Sequence, residues 1–266
     1  MRLALGLEYD GGAFCGWQTQ PEGCGVQDAL EAALSGISSD KIETVCAGRT
    51  DAGVHALAQV VHFDTAAERP LSAWTRGTNA LLPEGIAVLW ARETPSDFHA
   101  RFSATGRRYV YLLLNRAQRP GLLRGRVGWH HRKLDVQAMQ DAASCLVGEH
   151  DFSAFRAAEC QAKSPVKIMR EVRISARGEL IRFEFRASAF LQHMVRNIVG
   201  SLVYVGSGRQ PREWMRALLD GRDRTTAAPT FSAAGLYLAE VEYDPVWALP
   251  GPCHAEAAED AVLAGT

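Results

Sequence analysis

CAGRTDAGVH, residues 46 to 55, crowds Arg49, Thr50, Asp51 and His55 into one glycine-bracketed loop between two apolar runs. A carboxylate beside a guanidinium stays ionised at neutral pH, because the neighbouring positive charge favours its charged form, and an ionised carboxylate can act as a nucleophile. It is less suited to donating a proton. No second acid is paired with Asp51, which counts against two-carboxylate glycoside chemistry. G-x-G-x-x-G and Walker sequences are absent, which counts against nucleotide cofactors. An Asx-turn with a surface ion pair would account for Asp51 and Arg49 without any chemistry. A hairpin needs only about two turn residues, however, and none of these functional groups. Gly48 and Gly53 permit sharp turns and close approach by another molecule.

The elements that must position this loop follow from periodicity. RLALGLEY alternates as a strand, VQDALEAALSGI has a helical apolar face, IETVCAG and ALAQVVHFD read as strands, LSAWTRGTNALL as a helix and IAVLWARE as a strand. From Thr105 the string recurs: RRYVYLLLN, the helix LDVQAMQDAASCLVG, a hairpin of KIMREVRISAR and ELIRFEFRA turned at Gly178, the helix AFLQHMVRNIVGSLVYVG, a short extra helix PREWMRALLDG, and the strand GLYLAEVEY. The pattern predicts an α+β fold of two tandem ferredoxin-like β-α-β-β-α-β halves, residues 1–104 and 105–250. Their antiparallel or mixed sheets are expected to join, with helices on one face and a central basic cleft on the open one. Residues 251–266 are Ala-rich with little to bury and are expected to fray.

The 266 residues carry a formal net charge of -1, which hides a strong asymmetry. Residues 101 to 133 hold nine Lys or Arg and no Asp or Glu, while no basic residue follows Arg224. Such a stretch is a footprint for a polyanion. Of 29 basic residues only four are Lys; a GC-rich genome explains that ratio but not the missing acids. The six cysteines lie singly with no C-x-x-C pair, so neither a zinc site nor a disulfide framework is expected, and reduced thiols are. No signal peptide and no run of about 18 apolar residues occurs, from which a soluble, cytoplasmic protein away from membranes is expected.

GRTDAGVHALAQVVHF, with GLEYDGGAFCGWQ, DFHARFSATGRRYVYLLLN, DFSAFR, FLQHMVRNIVGSL and GLYL, resembles the tRNA pseudouridine synthase A family, in order and across residues 3 to 243. The resemblance implies an isomerase that converts uridine to pseudouridine at positions 38, 39 and 40 of the tRNA anticodon stem-loop, as a homodimer with neither metal nor organic cofactor. It implies that Asp51 is the catalytic Asp, and that Arg49 helps to extract the target nucleotide. Tyr109 would stack on the target base, Arg196 would be the basic partner of the Asp, and Leu236 an apolar wall of the pocket. Phe98, His99, Ala100, Arg101 and Phe102 fall where the family touches tRNA. So do Glu159, Cys160, Gln161, Ala162 and Lys163, the loosest match of the set. A flipped uridine needs such aromatic and apolar walls with a positive rim.

Read without the resemblance, Tyr109 and Leu236 could be core. Arg196, on an otherwise apolar helix, would need a carboxylate partner if buried, and Asp51 is the candidate. His193 and the His130-His131 pair lack metal-ligand spacing and read as hydrogen-bonding or solvated groups. Asp10 and Trp17, after the first strand, are expected to support the site. A catalytically silent RNA-binding module is the competing function, since ferredoxin-like sheets bind RNA, although its aromatic signature is missing and the reactive loop would go unexplained. A third reading keeps the chemistry on a different uridine or RNA.

Overall fold

Leu3, Leu5 and Leu7 alternate with Ala4 and Gly6 along β1 (Arg2–Tyr9), so this strand turns leucines to one side and small residues to the other. The three leucines are fully buried. Helix α1 (Val26–Ser38) buries Val26, Leu30 and Leu34, one side chain per turn of a single stripe. Then come β2 (Val45–Cys46), β3 (His55–Asp64), a short π-wound helix at Ala73–Gly77 that buries Trp74, and β4 (Ile86–Thr94). The strands lie in the order β4-β1-β3, with β2 also paired to β3. Leu5 stands opposite Val61 of β3 and Ala91 of β4, both antiparallel.

The computed structural model describes residues 1–251, which divide into two compact units: Met1–Thr105 with the chain from Tyr237 onward, and Gly106–Leu236. Most of the expected fraying tail lies outside the described residues. In the second unit β5 (Ala104–Asn115) is followed by β6 (Gly128–His130), α2 (Val136–Ala143), β7 (Gly148–Asp151), β8 (Val166–Arg177), β9 (Leu180–Ala187), α3 (Met194–Gly206) and α4 (Trp214–Gly221). Its strands run in the order β5-β9-β8-β7, with β6 parallel to β5 at Leu113↔Gly128. Gly178, at φ +60°, makes the β8–β9 turn. The last strand, β10 (Leu236–Tyr243), runs parallel to β3 in the first unit, with Tyr237 opposite His55. The protein is therefore an α+β fold with mixed sheet pairing.

The structure departs from the sequence reading in several places. β6 and β7 are too short to show alternation. IETVCAG forms only the two-residue β2. α3 starts at Met194 rather than Ala189, because His193 takes a left-handed φ of 62° and breaks the helix there. The fourth departure concerns cysteine: Cys15 and Cys24 form a disulfide, where reduced thiols were expected. Backbone bonds from Cys15 N to Cys24 O (3.0 Å) and from Gln27 N to Trp17 O (2.9 Å) zip the two arms of that loop and so bring the sulfurs together. A C-x8-C spacing carries no signal for this.

The small-residue face of the first unit is also not left open. Trp90 lies across Gly6, where an added Cβ would stand 2.1 Å from the indole nitrogen. Ala4, Val60, Phe98 and Ala100 form a buried cluster there with Trp90, Tyr243 and Trp247. The aromatic side chains of the segments after β4 and β10 thus cover apolar surface that would otherwise face water.

Candidate active site

The loop between β2 and β3 buries Thr50, whereas Arg49 is exposed and Gly48 and Asp51 are half-buried. Its backbone and the Thr50 hydroxyl are clamped. The Gln59 amide donates to Gly48 O (2.6 Å) and accepts from Gly48 N (3.4 Å). Tyr9 Oη is 2.8 Å from Thr50 Oγ1, and Trp17 N donates to Thr50 O at 2.9 Å. The loop closes with Val54 N donating to Asp51 O (3.1 Å), and Gly53 takes φ +77° in that turn, the conformation for which a glycine is suited.

Gly16 (φ +97°) passes so close that a Cβ would meet Thr50 O at 2.9 Å and Ala52 N at 3.0 Å. His55, at the start of β3, is buried; its Nδ1 accepts from Gly11 N (3.1 Å), and its ring stacks on Tyr237 at 4.7 Å. Asp10 Oδ1 accepts from Gly12 N (2.9 Å) and lies 3.1 Å from the same His55 nitrogen. Asp10 and Trp17 thus support the loop, as the sequence suggests. Cys46 is buried at its base, and burial pushes its thiol up to about 12, so it is no nucleophile.

The segment FHARF splits into two functions. Phe98 and Ala100 are fully buried in the aromatic cluster, so their side chains anchor the segment and do not reach solvent. Arg101 and Phe102 project outward, Phe102 being 76% exposed. The His99 ring lies 4.3 Å from that of Phe102, and the Arg101 guanidinium sits over the same ring at 5.7 Å, a surface suited to a base or a phosphate. His62 accepts from Ala100 N through Nδ1 (3.1 Å), which ties the segment to β3.

Burial, with the charges of His99 and Arg2, pushes the pKa of His62 down to about 4, and burial lowers that of His99 as well. The folded state keeps these rings neutral, while an unfolded chain takes up protons below about pH 6.5. Stability present above that pH is therefore lost as pH falls from about 6.5 towards about 4. Urea midpoints measured across this interval should drop, and His62→Asn, whose side-chain oxygen can replace Nδ1 as acceptor, should flatten most of the slope.

In the second unit, Tyr109 on β5 is half-buried and edge-on to Phe190 at 5.0 Å, while its neighbours Val110 and Tyr111 are the core residues. Leu236 is buried. Arg196, in the first turn of α3, is half-buried rather than buried, and its Nε donates to Phe231 O (2.9 Å). Sequence reasoning missed what holds Phe231. Asn197, fully buried, donates to Phe155 O (2.8 Å) and accepts from Thr230 Oγ1 (2.7 Å) and Arg224 Nη2 (3.0 Å). Arg224 also donates to Ala228 O (2.9 Å), and burial lowers its pKa. An amide beside an Arg on an apolar helix was the available signal. In ECQAK, Glu159, Gln161 and Lys163 are exposed while Cys160 is buried, and Arg156 binds the carbonyls of Cys160 and Ala162.

The basic stretch is smaller than its count suggests. Arg107 and Arg108 are buried on β5, the latter 3.2 Å from Glu184, and Arg116 pairs with Glu179 at 3.2 Å. Arg101, Arg119, Arg124, Arg126, Arg132 and Lys133 remain exposed. Among the described residues no group of three His, Cys, Asp or Glu could hold a metal ion, and no helix is long and apolar enough to cross a membrane.

Residues 7–103 and 142–244 match a family model described as tRNA pseudouridine synthase. Tyr109 falls between the two matched segments. The chain is 60% identical over 250 residues to the tRNA pseudouridine synthase A of Thiobacillus denitrificans, covering 94% of this chain and 96% of that relative. It is 60% identical over 252 residues to that of Dechloromonas aromatica (95% and 96% covered) and 60% over 250 residues to that of Nitrosomonas eutropha (94% and 90%).

Proposed function

Because the chain belongs to the tRNA pseudouridine synthase family, and is thus an isomerase that converts uridine to pseudouridine in tRNA, we propose that Asp51 is its nucleophile and that its targets are uridines 38, 39 and 40 of the anticodon stem-loop. The observation that carries this is an exposed Arg49 and a half-buried Asp51 flanking a buried Thr50 on a loop held by Gln59, Tyr9 and Trp17. A carboxylate used only to brace a turn does not require that clamp.

The target uridine leaves its stack, which places C1′ and C6 within reach of a side chain. Asp51 attacks one of these two carbons and is bound to it; the N1–C1′ bond breaks, the base turns and C5 bonds to C1′, the bond to Asp51 breaks so that its carboxylate is regenerated, and the C5 proton departs while N1 takes one up. No electrons are exchanged and no water is consumed, so neither a metal nor an organic cofactor enters the proposal. Arg49 helps to hold the extruded nucleotide. Tyr109, Arg196 and Leu236 keep the roles that the resemblance gives them. His99, Arg101 and Phe102 present groups to the RNA, with Phe98 and Ala100 anchoring them, and Glu159 to Lys163 form a second RNA contact. The protein acts as a cytoplasmic homodimer.

The test uses unmodified tRNA carrying tritium at C5 of uridine. Turnover releases the label to water, and mapping places the product at positions 38 to 40. Binding without release would leave only an RNA-binding module; release with product elsewhere would keep the chemistry and change the target.

A further inference from the structure

Gln59 is 0% exposed, although the alternation of AQVVHF reads it as an ordinary polar side chain of a half-buried strand. Every polar atom of its amide is engaged by the nucleophile loop, by Val60 or by Tyr9. We propose that Gln59, acting through Tyr9, is a positioning residue for the isomerisation: it orients the Thr50 hydroxyl and fixes the backbone that carries Asp51. This inference rests on the assignment of Asp51 as nucleophile.

The orientation of the Gln59 amide follows from donor and acceptor types. Gln59 Oε1 faces two N–H groups, Val60 N at 3.2 Å and Gly48 N at 3.4 Å. A flipped amide would set its NH2 against those donors, so the orientation is determined. Nε2 then gives its two hydrogens to Gly48 O (2.6 Å) and Tyr9 Oη (3.3 Å). An amide nitrogen only donates, so the Tyr9 oxygen accepts there. The same oxygen is hydrogen-bonded to Thr50 Oγ1 at 2.8 Å. Contiguous hydrogen bonds thus link Gln59, Tyr9 and Thr50, the residue that precedes Asp51.

Burial gives the relay its force. Tyr9 is 4% and Thr50 7% exposed, so water does not substitute for a lost partner. The same amide grips Gly48 on both its N–H and its carbonyl, which fixes the chain at one end of Arg49-Thr50-Asp51 while Tyr9 and Trp17 N fix the middle. Displacements of about 1 Å at a reacting group cost on the order of a hundredfold in rate. Loosening one of several clamps should cost less.

The experiment compares Tyr9→Phe, Thr50→Val, Thr50→Ser and the Tyr9→Phe/Thr50→Val pair in single-turnover tritium release, with tRNA affinity and thermal melting measured on each full-length protein. Tyr9→Phe and Thr50→Val should each slow the chemical step by about tenfold, with tRNA affinity within about twofold of the parent. Thr50→Ser, which keeps the hydroxyl, should retain the parental rate. The double variant should be no slower than either single one, because both break the same chain. Parental rates in Tyr9→Phe and Thr50→Val, or losses that multiply in the double variant, overturn the proposal. So does a slow step that merely follows the melting temperature, with Thr50→Ser as slow as Thr50→Val. If Tyr9→Phe does not fold, the Thr50→Ser and Thr50→Val comparison carries the test by itself. Asp51→Asn separates the two claims: turnover by that variant removes the nucleophile assignment, whereas an inactive Asp51→Asn beside fully active Tyr9→Phe and Thr50→Val removes only the relay.

Discussion

Asp51→Asn is expected to bind tRNA with the parental affinity and to release tritium at least about a thousandfold more slowly, a barrier increase of roughly 4 kcal/mol. The substitution keeps the shape of the side chain and its place in the loop, so contacts that position RNA persist. It removes the anionic oxygen to which the proposal assigns the attack. Loss of activity together with loss of binding would instead point to a loop that needs its charge to hold RNA. Appreciable turnover would end the nucleophile assignment.

Gly16→Ala should have the second largest effect, on folding and catalysis together. Gly16 adopts φ +97°, which L side chains rarely take, and its new Cβ would stand 2.9 Å from Thr50 O, 3.0 Å from Ala52 N and 3.1 Å from the Asp51 carbonyl carbon. Backbone atoms cannot rotate aside as the end of a long side chain can. The backbone conformation costs about 1–2 kcal/mol and the overpacking about 1–3 kcal/mol more. At roughly 2–4 °C per kcal/mol for a chain of this size, the melting temperature should fall by about 10 °C. Whatever folds should also turn over slowly, because the strain is relieved by moving Thr50 and Asp51. A variant that melts lower but isomerises at the parental rate would show that the loop moves without disturbing the carboxylate.

The site was legible where chemistry exceeded structural need. Arg49, Thr50, Asp51 and His55 stood out because a turn requires none of them, and the strands stood out by alternation. What stayed hidden depended on partners distant in sequence. Gln59 looks like any polar residue of a half-buried strand until Gly48 is placed beside it by the pairing of β2 with β3, Cys46 opposite Val61. Arg107 and Arg108 were counted with the surface charge, yet β5 carries them inside, where Ser188 O and Glu184 receive their donors. Cys15 and Cys24 could not be paired from spacing, because the backbone bonds that join their arms involve no distinctive residue type. Phe98 and Ala100 were grouped with RNA contacts by their neighbours in the chain, although alternation within FHARF sends them to the apolar cluster.

The placing of buried Thr50 between exposed Arg49 and half-buried Asp51 makes parity a property of this loop. Deleting or inserting a single residue between those positions would exchange buried and exposed places, moving Arg49 or Asp51 toward the clamp and Thr50 toward solvent. A change of two residues would preserve the sides and alter only the reach. The length of the segment is thus constrained modulo two, and a designer who transplants it to another scaffold must carry over the odd-even phase along with the side chains.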